Sequence, residues 1–240
     1  MFISEYVNEK DGQWSITRPQ ASHFAKAIAN DFNPIHDEDA TRFCVPGDLL
    51  FGLTLSQIGV SQSMTFRFAA VVNDTTELSP HHLDDENFQF IDQQEKAYLK
   101  VERQGECSTD QGMVAHLIKN YVRFSGENFP HILMPLMKDK GMMINPSRPL
   151  VMYEDMSIHF TTLDFSEPTI ELAETRLDIE GKRGNVTLGF VFKSEGEVIG
   201  TGCKHMILGG LRPFVQEDID VLVNAYNGRK EHYQIHKTVC

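Results

Sequence analysis

The stretch VPGDLLFGLTLSQIG, residues 45–59, restricts the folds open to this chain more than any other segment. Its apolar side chains surround a helix instead of forming a single stripe: Leu49, Leu50, Phe51, Leu53, Leu55 and Ile58. A helix that is apolar on all sides is buried in a protein core. Gly47 stands at its start. The segment therefore predicts a fold with a central helix that other elements cover on every side.

The segments around this helix predict the elements that could cover it. Three stretches downstream have the composition of strands: residues 64–72, 88–91 and 96–102. The hydrophilic residues 81–87 predict a loop. Upstream, residues 2–16 predict a hairpin around the turn residues 8–12. A helix is then predicted to begin near Pro19, which suits a first helical turn, and to end at Pro34.

A second series of elements begins after residues 105–112, a polar segment with two glycines that is the best candidate boundary. Helical spacing of apolar residues between Met113 and Phe124 predicts another helix. Four strands are predicted after it: residues 156–162, 169–179, 185–193 and 198–208. Residues 219–226 predict a helix on the outside of the fold.

The two series can be superposed as an internal repeat. A shift of about 95 residues brings Asp31 onto Glu127 and Pro34 onto Pro130, in the order helix, acid–x–x–proline turn, apolar helix, strands. A repeat at this length indicates two copies of one fold. The predicted division is residues 1–107 and residues 108–240.

Composition excludes several classes of function. The 240 residues carry a formal net charge of −12, which repels nucleic acid and anionic membrane surfaces. The sequence contains no run of eighteen apolar residues and no signal-peptide pattern at its start, and its four cysteines are scattered. We expect a cytoplasmic protein that binds neither nucleic acid nor membrane.

The segment NDFNPIHDED, residues 30–39, holds the candidate site residues. A structural explanation exists, because Asp31, Asn33 and Pro34 suit a turn that ends a helix. That explanation accounts neither for His36 nor for the glycine-led helix that follows. The histidines at 81 and 82 beside the acids at 84 and 85 are typical of a solvated loop, and we expect no metal and no cofactor.

The run Asp31–x–Asn33–Pro34–x–His36, followed by Val45–Pro46–Gly47–Asp48–Leu49–Leu50, resembles the MaoC-like, (R)-specific enoyl-CoA hydratase family. The resemblance covers roughly residues 17–60 and implies a hot-dog fold, in which an antiparallel sheet wraps a long apolar helix. It implies that Asp31 and His36 hold one water, that the Gly47 N–H binds the thioester carbonyl, and that Asn33 orients the turn. The whole chain also resembles a family of uncharacterised bacterial proteins.

Three features depart from the hydratase pattern. Pro46 stands where the hydratases usually carry histidine, the link from His36 to Gly47 is short, and Asp48 adds a carboxylate beside the carbonyl site. Asp48 has two interpretations. It is either a charge at a helix N-terminus or the general base of a hot-dog thioesterase. His131 lies one residue off the position that matches His36, so the second copy is predicted to be non-catalytic.

The repeat and the resemblance together imply an α+β double hot-dog with an acyl chain held between its halves, and a homodimer of such units is one expected assembly. The expected function is hydration or dehydration of a 2-enoyl thioester of CoA or acyl carrier protein. An acyl-CoA thioesterase and a non-catalytic acyl-thioester binding protein remain as alternatives. Asp31, His36 and Gly47 are the candidate catalytic residues, and Asn33 and Asp48 the candidate substrate-binding residues. We expect Asp31 and His36 to border one apolar pocket with Gly47 on its wall. The pKa of Asp31 is expected to be raised if burial dominates, with His36 opposing that rise.

Overall fold

A single antiparallel sheet organises the protein. The computed structural model describes residues 1–237, with side chains to residue 235. The strands are β1 (Asn8–Lys10), β2 (Gln13–Ser15), β3 (Val60–Phe68), β4 (Glu77–His82), β5 (Asn87–Ile91), β6 (Ala97–Ser108), β7 (Met142–Met143), β8 (Leu150–Phe160), β9 (Thr169–Glu180), β10 (Arg183–Ser194), β11 (Glu197–Gly209) and β12 (Arg212–Pro213). Ten of them form one sheet in the order β1-β2-β4-β5-β6-β3-β8-β11-β10-β9, and β7 pairs with β12 separately.

Among the described residues, six α-helices accompany the strands: α1 (Arg18–His23), α2 (Gly47–Ile58), α3 (Gln111–Gly126), α4 (Asn128–His131), α5 (Leu133–Asp139) and α6 (Gln216–Lys237). Short 3-10 helices lie at Phe2–Tyr6 and Pro34–His36, and α1 continues into a π-helical turn at Phe24–Ile28. No helix within residues 1–237 is both long enough and apolar enough to span a membrane.

The two halves of the sheet meet where β3 pairs with β8, in a register that places Ser63 opposite His159 and Arg67 opposite Asp155. Each half supplies a long helix, the twelve-residue α2 in the first and the sixteen-residue α3 in the second. The architecture is therefore the predicted double hot-dog. The division at residue 107 falls one residue before β6 ends, and two separately folding halves remain a prediction.

The hydrophobic core crosses that division. The larger core cluster joins α2 to α3 and to Phe190 and Phe192 of β10. Gly52 allows the two long helices to approach closely, because a Cβ atom there would lie 3.0 Å from Cγ2 of Ile118. The smaller cluster covers the other end of the second half-sheet, where α5 and Ile219 of α6 pack on β9, β10 and β11. The prediction that α2 is buried on all sides is confirmed, since nine of its residues are buried.

Three local predictions are wrong. Phe2–Tyr6 forms a 3-10 helix, so the hairpin contains only β1 and β2 around Asp11 and Gly12. The predicted loop at residues 81–87 begins inside β4, which pairs with β5. The apolar helix predicted after the acid–x–x–proline turn at residues 127–130 is only the seven-residue α5. It therefore does not match the buried helix α2 in length.

Candidate active site

The first helix ends at a backbone turn that places Asp31 inside the protein. Asn30 adopts the left-handed conformation, with φ of 54°, and the Asp31 N–H donates to the Ala25 carbonyl at 2.8 Å. Asparagine tolerates this conformation better than most residues. The predicted helix stop at Pro34 is therefore wrong, since Asn30 already ends the helix. The end of α3 fits directly against this turn, because a Cβ atom on Gly126 would lie 1.9 Å from the Ala29 carbonyl oxygen.

Side-chain hydrogen bonds then shape residues 31–36. Oδ1 of Asp31 accepts from the Asn33 N–H at 2.9 Å, and Oδ1 of Asn33 accepts from the Ile35 N–H at 3.3 Å. Asn33 thus caps the short helix Pro34–His36. The turn chemistry expected from the sequence is present, and it fixes the positions of the two residues on which a reaction would depend.

The His36 ring is held in place by a hydrogen bond at Nδ1, and its second nitrogen, Nε2, faces Asp31. Nδ1 lies 2.6 Å from the Cys44 carbonyl oxygen, which can only accept, so Nδ1 carries a proton. Nε2 lies 3.6 Å from Oδ2 of Asp31. The side chains of His36 and Asp31 are 9% and 16% exposed. A ring fixed at one nitrogen and facing a carboxylate with the other is suited to proton transfer.

Burial controls the protonation of Asp31. Removal from water raises the pKa of its carboxyl group, and the negative charge of Asp48 adds to the rise. His36, the Asn33 N–H and Lys204 lower the same pKa, but burial outweighs them and the pKa of Asp31 is raised. This direction confirms the prediction from the sequence. An elevated pKa makes the ionised form of this carboxylate a stronger base.

Gly47 is the first residue of α2 and lies against two aromatic rings. A Cβ atom there would lie 2.9 Å from Cδ2 of Tyr153 and 3.1 Å from Cε1 of Phe68. The N–H groups of the first helical turn have no acceptor within their own helix and carry its positive dipole end. The start of α2 can therefore bind a negatively charged oxygen.

Asp48 lies in the first turn of α2, as expected of a charge at a helix N-terminus, and it is also buried. Its side chain is 6% exposed and points into the protein. Oδ2 accepts from the Ser125 hydroxyl at 2.7 Å and from the Tyr153 hydroxyl at 3.4 Å. Oδ1 lies 3.7 Å from Nζ of Lys204. A buried polar network thus surrounds the start of α2.

Sequence reasoning missed Ser125, Tyr153 and Lys204. One signal was present for Lys204, which alternates in phase with Met206 and Leu208 on β11, both of them buried. A lysine on the buried face of a strand needs a partner inside the protein. Its partner Asp48 lies far away in sequence, so the pairing could not be inferred without the fold.

The C-terminal helix covers the turn that carries Asp31. Tyr226 donates to the Asn30 carbonyl at 3.2 Å and packs edge-on against Phe32, and Tyr233 contacts the same phenylalanine ring. Arg229 lies 3.2 Å from the Asp37 carboxylate. These contacts lie between the turn and solvent.

Two surface depressions of about 380 and 230 Å³ lie elsewhere, near Glu77 on β4, and neither borders Asp31 or His36. The apolar pocket expected beside that pair remains a prediction. Within residues 1–237, no group of three or more His, Cys, Asp or Glu side chains is arranged to hold a metal ion.

Comparisons with solved structures find several distant similarities. The acyl-CoA thioesterase II TesB2 from Mycobacterium marinum is 10% identical, with a TM-score of 0.44, over 89% of this chain and 98% of its own. A conserved hot-dog protein of unknown function from Alicyclobacillus acidocaldarius is 7% identical, with a TM-score of 0.47, over 89% and 99% of the two chains. A putative MaoC domain protein dehydratase from Chloroflexus aurantiacus is 10% identical, with a TM-score of 0.44, over 85% and 94%.

Sequence comparison identifies a family without an assigned activity. A search among curated proteins finds no match. Residues 1–217 match the model of the family described as "Protein of unknown function (DUF3581)", and this chain therefore belongs to that family.

Proposed function

We propose that this protein hydrates the double bond of a 2-enoyl thioester, or catalyses the reverse dehydration, at the Asp31–His36 pair. The observation that carries the proposal is the buried approach of His36 Nε2 to Asp31 Oδ2 at 3.6 Å, with the ring held by the Cys44 carbonyl. The raised pKa of Asp31 suits a general base. The resemblance of residues 31–36 to the hydratase motif supports the same chemistry.

The reaction adds the elements of one water across the double bond. The Asp31 carboxylate accepts a proton from a water that His36 also holds, while the water oxygen bonds to C3 of the enoyl group. The electron pair of the double bond moves toward the thioester, and C2 then takes the proton back from the Asp31–His36 pair. Positioned acid–base groups of this kind contribute roughly 10²–10⁴-fold to a rate.

The start of α2 stabilises the negative charge that develops on the thioester oxygen. The Gly47 N–H is the donor, and one such donor contributes about 3 kcal/mol to transition-state stabilisation. The neighbouring carboxylate of Asp48 would oppose this effect if its charge were unbalanced. Its hydrogen bonds to Ser125 and Tyr153 and the nearby ammonium of Lys204 offset that charge.

Thioester hydrolysis is the second candidate, because Asp48 is buried directly beside Gly47. In this reaction the Asp48 carboxylate takes a proton from water as the water oxygen attacks the thioester carbonyl. The carbon–sulfur bond then breaks, and the thiolate leaves with a proton. The same N–H at Gly47 would bind the carbonyl oxygen.

One assay separates these functions. The protein is incubated with crotonyl-CoA, and loss of enoyl absorbance is followed beside release of free thiol. We expect absorbance loss without thiol release, abolition of activity by Asp31→Asn, and little effect of Asp39→Asn, an exposed acid in the same segment. Thiol release that depends on Asp48 and tolerates Asp31→Asn would reverse the assignment. Binding of crotonyl-CoA by calorimetry without either reaction would indicate a binding protein.

A further inference from the structure

Lys204 is a buried cation near the candidate site. It lies on β11 with a side chain 2% exposed. Its ammonium donates to the Ser125 hydroxyl at 2.5 Å and lies 3.4 Å from the centre of the Tyr153 ring. Removing an ammonium from water is unfavourable unless charge and hydrogen bonds replace the water. Burial lowers the pKa of Lys204 to about 8, against the opposing effects of Asp48 and Asp31.

The partners of Lys204 come from three other elements and converge on Asp48. Ser125 of α3 donates to Asp48 Oδ2 and also lies 3.2 Å from the hydroxyl of Tyr153 on β8. Tyr121 of α3 lies close enough to Asp48 for that charge to raise its pKa, although burial is the larger cause. The Ser125 and Tyr153 hydroxyls and the Lys204 ammonium therefore face the Asp48 carboxylate.

The network lies beside Asp31 and acts on it through charge, since a Cβ atom on Gly126, the residue after Ser125, would lie 3.2 Å from the Cβ of Asp31. Asp48 disfavours the ionised form of Asp31, while Lys204 favours it. The positive charge of Lys204 balances the negative charge of Asp48. Asp31 and His36 then form a second pair of neighbouring side chains. Without Lys204, an uncompensated buried carboxylate would lie beside that pair and draw a further proton toward it.

We propose that Lys204 is a positioning residue of the candidate site, which balances the charge of Asp48 and thereby sets the protonation of Asp31. The role of Lys204 in catalysis rests on the proposed function, whereas its effect on the protonation of Asp31 does not. Tyr153 and Tyr226 also face Asp31, and their hydroxyl groups stay neutral because burial raises both of their pKa values. The charges that act on Asp31 are therefore those of His36, Asp48 and Lys204.

The test is a pH titration of the Asp31 carboxyl carbon by carbon-13 NMR, which needs no substrate. The resonance is assigned by its loss in Asp31→Asn. In Lys204→Met we expect the titration midpoint of Asp31 to rise by about one pH unit. In Asp48→Asn the titration midpoint of Asp31 should fall, because the positive charge of Lys204 is then no longer balanced by Asp48 and favours the ionised form of Asp31. The double variant, which lacks both charges, should return the midpoint close to that of the unaltered protein.

Lys100→Met on β6 is the control, because Lys100 is exposed and should leave the midpoint unchanged. The opposite shifts of the two single variants distinguish a charge effect from a packing effect, and if one of them does not fold, the sign of the shift in the other still tests the charge effect. An Asp31 midpoint that stays the same in the folded variants overturns the inference, whether or not crotonyl-CoA is hydrated. If hydration fails but the midpoints move as expected, only the proposed function is lost.

Discussion

The turn at residues 31–36 and the turn at residues 127–131 have the same order of residue types but different surroundings. Each begins with an acid and reaches a proline three residues later. The first turn buries its acid and its histidine side by side. In the second, the Glu127 side chain is 45% exposed and His131 is exposed. An acid–x–x–proline order thus predicts a turn, and burial decides whether the acid can take part in catalysis.

Backbone conformation is the cause of the difference. The left-handed Asn30 directs the chain inward before Asp31, whereas Glu127 directly follows the last residue of α3, with φ of −83° and ψ of 1°. Its carboxylate lies 3.8 Å from Arg123, one helical turn back, and accepts from the Asn30 side chain at 2.8 Å. The acid of the second turn therefore helps to hold the first turn in place.

The largest expected effect separates the two histidines. His36→Gln should reduce crotonyl-CoA hydration by roughly 10²–10⁴-fold, because it removes the ring that we propose shares a water with Asp31. His131→Gln is the matched change in the second turn and should keep activity within about twofold, since surface substitutions are usually near neutral. Initial rates at saturating substrate provide the measurement. Equal losses in the two variants would remove the functional distinction between the turns.

The next largest effect concerns the contact between the two turns. Gly126→Ala should destabilise the protein by about 3 kcal/mol, because the new methyl group would overlap the Ala29 carbonyl, and overpacking costs energy of this order. Gly228→Ala is the control on the exposed part of α6, where no heavy atom lies within 4 Å of the new Cβ.

That control should raise the stability by up to about 1 kcal/mol, because alanine favours helix over glycine. Urea denaturation followed by circular dichroism measures both variants. A Gly126→Ala protein as stable as the unaltered chain would mean that Gly126 does not lie in close contact with the Ala29 carbonyl.

The elements that were predictable from the sequence are those specified by local pattern. The all-round apolar composition of α2 indicates its burial, and strand-like stretches separated by turn signals locate β8 to β11. Phe2–Tyr6 was predicted as a strand because its short apolar pattern also suits one. In the fold, Ile3 and Tyr6 pack into the core from a 3-10 helix. Tertiary packing outweighed local preference there.

The site was predictable only in part, for a similar reason. Asp31, Asn33, His36 and Gly47 occur within seventeen residues, so a local motif could indicate them. Lys204 reaches the site from another half of the sheet, and only the pairing of β8 with β3 and β11 brings these segments together. Residues that complete a site through long-range contacts leave almost no local signal.

The smallest expected effect is a difference between Asp31 and Glu127 in how each one makes the stability of the protein depend on pH. The pKa of Asp31 is raised above its ordinary value of 3.8, chiefly by burial, so the folded protein binds its proton more tightly than the unfolded chain does. The contribution of this carboxyl to stability is therefore present at low pH and is lost as pH rises above 3.8. Asparagine stays neutral and keeps Oδ1 as an acceptor for the Asn33 N–H.

Asp31→Asn should accordingly gain stability relative to the unaltered protein as pH rises from acid to neutral, even though it abolishes activity. Glu127→Gln should show no comparable trend, because its side chain is half exposed and the amide oxygen can still accept from Asn30. Melting temperatures of the three proteins at stepped pH values supply the comparison. A stability difference for Asp31→Asn that is the same at every pH would mean that the Asp31 carboxyl is as well solvated as that of Glu127, and the contrast between the two turns would then lose its electrostatic basis.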